Sequence, residues 1–375
     1  MKNIFTYGIF AIFICSCMPT SGSKGLNVII LDHFASKPEK VSLNEIANRI
    51  DYIQLETTPE SLIGRIGKIQ IKDNKMYILD ELTESILVFN ISGQFIRRIG
   101  TKGRGPGEYI SIRDFALCDS VILVRDAGQS KVILYDTLGR LMADKMFTHT
   151  ISNVAFYNGM PIWSRNYPDF AFHKGFRISI FDRNLNSVAD ILKSKIDLDE
   201  ASARQYGMSH FRSFFELVND TLTFWECRED VIYKIIDQNR IEEKYMISYK
   251  NPSKYEDGMD RRNPGYNEIS SMKEARNYIF MVGGYDGKYC RLIYFKETNK
   301  GICVEGKLIN SNGPDFFPHY LANDKQAFES FSIYAYKTEL EKNNITQAKL
   351  DSKLQLLLNT CAFDDNPCVM LVTLK

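Results

Sequence analysis

Five histidines, eight cysteines and one glycine-rich run are the residues whose types and spacing could do chemistry in this chain. The histidines are His33, His149, His173, His210 and His319. None stands in an HExxH pair, and none has the local spacing of a zinc site. His149, His173 and His210 fall in successive segments, so a metal bound between segments is the one hydrolytic chemistry they suggest. There is no Gly-x-Ser-x-Gly elbow for a nucleophilic serine and no Asp-x-Asp-x-Asp-Gly calcium loop. Gly103-Arg-Gly-Pro-Gly107, with Lys102 and Arg97-Arg98 nearby, has the composition of an anion loop. A phosphate loop, however, feeds its glycines into a helix N-terminus and follows them with Lys-Ser/Thr. Strand-like segments flank this run and Pro106 removes a donor, so it reads as a turn that needs positive φ. No cofactor motif is present and no cofactor is expected.

Two aromatic and basic stretches are better candidates for recognition. Phe156 to His173 carries Trp163, Arg165 and Tyr167, and Tyr255 to Tyr266 carries Arg261, Arg262 and Tyr266. Both read as long connections, where binding tends to reside. Tyr and Trp rings there would stack on a sugar or peptide, and the arginines would fix its polar groups. Asp80, Asp126 and Asp182, with Asn90 and Asp136, end strand-like segments, the place where Asx side chains shape turns.

The cysteines belong with the N-terminus. Lys2 and the apolar run Ile4–Ile14 form a signal-peptide pattern too short to span a bilayer. Ile14-Cys15-Ser16-Cys17 closes it like a lipoprotein cleavage box. The expected organisation is a signal peptide over 1–16, acylation at Cys17 and a flexible tether over 17–26. That would anchor the chain to a membrane by lipid. Of the six later cysteines, Cys361 and Cys368 flank a turn and are spaced for a cross-strand disulfide.

Composition narrows the classes. Net charge is +1 at pH 7, so no basic field exists for nucleic acid, which is not expected as a partner. Forty-four per cent hydrophobic residues rule out a disordered chain. Twenty Tyr and 24 Phe against two Trp suit β-structure.

A repeat positions all of this. Met76-Tyr-Ile-Leu-Asp80 and Ile86-Leu-Val-Phe-Asn90, then Gly93, recur after 46 residues as Ile122–Asp126, Val132–Asp136 and Gly139. A second shift of 46 lands on Ile178–Asp182. Thr221–Trp225, Val231–Ile235 and Arg291–Phe295 are drifted copies. This period of short strands marks propeller blades. The reading is all-β: a six-bladed propeller over 27–375 with four-stranded antiparallel blades. Its ring is closed by an N-terminal strand near 50–55 and the C-terminal strand 368–374. Leu350, Leu354, Leu357 and Leu358 predict one helix across 338–358, inserted in the last blade.

The same residues carry a family resemblance. The strand–Asp–strand–Gly unit resembles the NHL-type repeat, and Gly103-Arg-Gly-Pro-Gly-Glu-Tyr109 resembles the inter-blade signature of six-bladed propeller lipoproteins of Bacteroides and relatives. Tyr52–Thr57, Asn312–Pro318 and Asp364–Lys375 are similar to that family too. The resemblance implies fold and envelope location and brings no catalytic residues. A tether without acidic residues implies the periplasmic face. The leading expectation is a tethered, non-catalytic module that binds a small molecule, glycan or partner protein, in a setting linked to glycan uptake. The second is a metal-dependent hydrolase or lyase with its site in the central channel. The third, a purely structural subunit, predicts a broad apolar patch.

Overall fold

The computed structural model describes residues 26–149, 151–165, 175–193, 213–226, 230–249 and 267–375. Six four-stranded antiparallel units form the blades, two of them extended by a fifth strand. With strands lettered A to D from the axis outward, blade 1 is Ile66–Lys72, Lys75–Asp80, Ser85–Asn90 and Phe95–Ile99. Blade 2 is Ile112–Cys118, Val121–Asp126, Lys131–Asp136 and Leu141–Met146, and blade 3 is Ile151–Tyr157, Met160–Arg165, Phe176–Phe181 and Ser187–Lys193. Blade 4 is Ser213–Val218, Thr221–Glu226, Val231–Ile235 and Ile241–Ser248, and blade 5 is Glu268–Glu274, Tyr278–Tyr285, Lys288–Phe295 and Lys300–Val304. Blade 6 takes strands A to C from Tyr320–Asn323, Gln326–Phe331 and Cys368–Leu374, and its D strand, Ala47–Gln54, from the N-terminal end.

The 46-residue frame of the sequence is a frame of hydrogen bonds. In C–D pairs a β-bulge recurs at Val88/Phe89, Leu134/Tyr135 and Ile180/Phe181, adding twist at equivalent points of three blades. The core is divided into six clusters, one at each junction between neighbouring blades. Tyr and Phe fill these wedges: Tyr135 and Phe115 between blades 1 and 2, Phe224 and Tyr233 between 3 and 4, Phe316 and Phe317 between 5 and 6. Each fully buried large side chain contributes about 1.5–3 kcal/mol.

The N-terminal segment belts two blades before it closes the ring. Asn27–Ile30 adds a parallel strand to the outer edge of blade 4 and Pro38–Glu39 one to blade 5. Both edges are thereby covered.

In place of one helix across 338–358 there are two, Ile333–Lys342 and Ser352–Thr360. Asn344 breaks the first with φ +54°, and Asp351 caps the second by accepting from the Lys353 and Leu354 N–H groups. The apolar face survives: Leu350, Leu354 and Leu358 are buried against blade 6. Among the described residues no helix is long and apolar enough to cross a membrane.

Candidate functional site

Antiparallel alternation gives the ring two unlike faces. On one, A–B and C–D connections among the described strands span only two to five residues. Asp73, Asn74, Asn158, Asn219 and Asp220 take positive φ there, as tight hairpin turns require. The C–D turns are built by one device repeated. The Asn90 side-chain oxygen accepts from the Ser92 and Gln94 N–H groups, Asp136 from Leu138 and Arg140, and Asp182 from Asn184 and Asn186. Adjacent turns also bond: Ile91 N–H to Asn74 O in blade 1, and Thr137 N–H to Ser120 O in blade 2.

The opposite face carries the B–C loops and the returns from each D strand to the next A strand. Asp80 joins them in blade 1. Its carboxylate accepts from the Gly64, Arg65 and Leu82 N–H groups and the Thr83 hydroxyl, at 2.7–3.1 Å. Asp126 repeats this 46 residues on, accepting from the Ile110, Ser111 and Gly128 N–H groups and the Gln129 amide at 2.9–3.0 Å. These carboxylates therefore have structural work. All the longest connections leave and rejoin strands on this loop face. They are those from Arg165 to Phe176, from Lys193 to Ser213, from Ser248 to Glu268, and the helical insertion between Phe331 and Cys368.

The glycine run also proves structural. Thr101–Lys102 and Glu108–Tyr109 form a small parallel pair around it. Gly107 takes φ +67°, donates to Asp144 at 2.8 Å and accepts from the Tyr135 hydroxyl at 2.7 Å. The Glu108 carboxylate accepts from Gly105 N–H at 2.8 Å, and a Cβ on Gly103 would meet that carboxylate at 2.0 Å. The run's own glutamate fills the place an anion would take.

At the axis, charges from neighbouring A strands are already paired. Lys68 donates to Asp114 Oδ1 and to Phe115 O, both at 2.7 Å, and Asp114 Oδ2 accepts from Val154 N–H of blade 3 at 2.8 Å. Lys273 of blade 5 meets Glu216 of blade 4 at 2.9 Å. Among the described residues no three His, Cys, Asp or Glu side chains could hold a common metal ion. His149 is buried beside the Phe147 ring, whereas His173 and His210 lie outside the described residues.

Of the residues expected to touch a ligand, Trp163 and Arg165 sit inside the fold. Trp163 is 0% exposed and stacks on Phe181 with ring centres 3.6 Å apart. Arg165 is 2% exposed, with its guanidinium 2.6 Å from Asp190. Strand B of a blade is packed on both sides, so neither has surface to offer. Tyr167, Arg261, Arg262 and Tyr266 lie outside the described residues, as does Cys17. Cys361 and Cys368 are free thiols with no bond between them. Burial pushes the Cys368 thiol up to about 12. The turn between them is held by Asn366, whose side chain bonds to Glu56, Ser61 and Ile63.

Beside that turn lies an open cleft of about 310 Å³ lined by Gln54–Thr57, Ser92–Gln94 and Asp365. Its carboxylates are engaged by backbone: Glu56 accepts from Phe95 N–H and Asp365 from Ala362 N–H. It is a polar notch at the seam of the ring.

The two faces and the paired axis define a six-bladed β-propeller with one elaborated face. The chain belongs to the family described as "Domain of unknown function (DUF4934)", which it matches over residues 26–373. A candidate exported protein from Bacteroides fragilis NCTC 9343 has a similar structure, with TM-score 0.72 and 20% identity, over 93% of this chain and 100% of that one. That likeness bears on the fold. A member of the DUF4221 family from Bacteroides vulgatus is more distant, with TM-score 0.49 and 12% identity over 88% of this chain and 97% of that one. No curated protein matches the chain.

Proposed function

We propose that this chain is an exported, envelope-tethered propeller with NHL-like repeats that binds a small molecule, glycan or partner protein on its loop face. The observation that carries this reading is the asymmetry between faces. One consists of tight turns fixed by Asx side chains, whereas every long connection opens on the other. A rigid ring presenting variable connections from one side is how a scaffold serves recognition. Tyr167, Arg261, Arg262 and Tyr266 fall in two of those connections and are the contact residues of this reading. At the axis, Lys68 is paired with Asp114 and Lys273 with Glu216.

Export is supported by the character of the Bacteroides fragilis relative and by the signal-like first 16 residues. Acylation at Cys17 would leave residues 17–26 as a tether entering the fold at the outer edge of blade 4. The periplasmic face and a link to glycan uptake complete the reading. Intact-mass analysis of protein extracted from membranes tests the anchor: a lipid-sized mass increment on a chain beginning at Cys17 is expected, and an unmodified N-terminus would refute it. A thermal-shift screen of the protein against glycans and metals tests the binding role.

A further inference from the structure

Strand C of blade 5 presents alternate side chains to its two neighbours. Cys290 and Leu292 pack toward blade 4, and Ile293 toward blade 6. Arg291 also turns toward blade 6. Its guanidinium lies 4.8 Å from the Tyr289 ring centre and 5.8 Å from that of Phe317, and Nη1 donates to Gly306 O at 2.8 Å. The next residue along, Lys307, reaches Glu329 of blade 6 at 2.9 Å. The His319 ring stands 5.1 Å from Phe317.

The return from blade 5 to blade 6 holds these groups in place. Leu308 and Phe316 exchange backbone hydrogen bonds at 2.8 and 3.0 Å. Asn310 N–H donates to Asp315, and its side-chain amide donates to the Tyr52 hydroxyl and to Pro314 O. The Asn312-Gly-Pro-Asp-Phe-Phe-Pro318 run is thus a fixed loop that buries Phe316 and Phe317 and holds His319 within electrostatic reach of Arg291 and Lys307.

The charges here do not cancel. Two cations face one carboxylate: Glu329 pairs with Lys307 and also lies within electrostatic reach of Arg291, whose Nε is buried without an acceptor. Burial, then the positive charges of Arg291 and Lys307, push the His319 imidazole down to about 4, so the ring is neutral at pH 7. A buried N–H donor left without an acceptor is unfavourable, so the Nε edge of Arg291 calls for an oxygen. Tyr289, 61% exposed, lies over the guanidinium with its ring centre 4.8 Å away.

We propose that this junction is a binding site for a compact oxyanion, a phosphate, sulfate or carboxylate group, received by Arg291 with Lys307 and His319 beside it. The planar fork of a guanidinium suits two oxygens of one such group. A cation is disfavoured by the net positive charge of Arg291 and Lys307 against the single Glu329 carboxylate, and a neutral ligand would leave that excess in place. This site is separate from the loop-face residues proposed above, so its failure would leave that reading standing.

Isothermal titration calorimetry of the full protein at constant ionic strength is the test. Inorganic phosphate, sulfate and acetate are titrated separately, with choline chloride as the cationic control. Saturable binding of at least one anion is expected, and the three arms show which oxyanion is preferred. Arg291→Gln should weaken it at least tenfold, while Tyr289→Ala, which only uncovers the guanidinium, should retain it. NMR of the His319 ring gives an independent readout, its titration moving to higher pH when the anion is bound. No saturable binding of any anion would overturn the proposal, as would unchanged binding by Arg291→Gln or an unmoved His319 titration at saturating anion.

Discussion

The side-chain oxygen of Asn366 accepts a hydrogen bond from the Ile63 backbone N–H at 2.8 Å, although the two residues lie 303 positions apart. The same amide donates to Glu56 O at 2.7 Å and to Ser61 O at 2.8 Å, and Asn366 N–H donates to the Thr57 hydroxyl. Three per cent exposed, Asn366 fastens the end of the chain to the start of blade 1 beside the strand pair that completes blade 6.

Asn366→Ala removes three side-chain bonds and takes the Asn366 partner from Ile63 N–H and Ser61 O, while Glu56 O still accepts from the Ser61 hydroxyl. A loss of about 3 kcal/mol is expected, given roughly 1–3 kcal/mol for each buried polar group left unpaired. Urea denaturation measures it. Asn366→Asp keeps the acceptor and loses both donors, so it should be nearly as damaging.

Asp80 predicts an acid limb. Burial raises its carboxyl, but hydrogen bonds from the Arg65 N–H, the Thr83 hydroxyl and the Gly64 and Leu82 N–H groups outweigh this and hold it below the usual range. A depressed folded value means the contribution is present above the unfolded value, about 4, and is lost as pH falls through the folded one. Stability measured from pH 5 downward should drop, and Asp80→Asn should flatten part of that drop.

His319 predicts a different window. Its folded value near 4 lies below the ordinary 6.5, so between these pH values the unfolded chain binds the extra proton. Stability should therefore rise with pH from about 4 to about 6.5, and His319→Gln should remove that slope. Denaturation midpoints at half-unit pH steps distinguish this from the carboxylate limb below it.

Trp163 has a purely structural role in this account. Its 0% exposure and stacking on Phe181 predict a loss of about 3–5 kcal/mol for Trp163→Ala, and less for Trp163→Phe. Ligand response measured below the variant's melting range should be unchanged.

Much of the architecture is legible in the spacing of Asp80, Asp126, Asn90, Asp136 and Asp182. A repeated blade needs the same turn chemistry at the same place, so a frame of 46 residues exposes strands and turns together. Less regular features escape it. Leu350 to Leu358 reveal an apolar helical face but not the break before it, which depends on the backbone of Asn344 and the cap at Asp351. Trp163 and Arg165 read as loop residues because Met160–Arg165 is buried on both sides and so lacks the alternation that separates inside from outside. Asn366 bears no local mark, since its partners come from the other end of the chain. Arg291, Lys307 and His319 lie in three separate segments and meet only across a blade junction, so spacing could not unite them.

The central claim, recognition on the loop face, is tested most directly by thermal shift of the protein against a glycan panel and divalent metals, with and without EDTA. The account predicts stabilisation by at least one glycan that is indifferent to EDTA and is lost in the Arg261→Ala, Arg262→Ala, Tyr266→Ala triple variant. Stabilisation by metal alone that EDTA abolishes, or a glycan response undiminished in the triple variant, would contradict it.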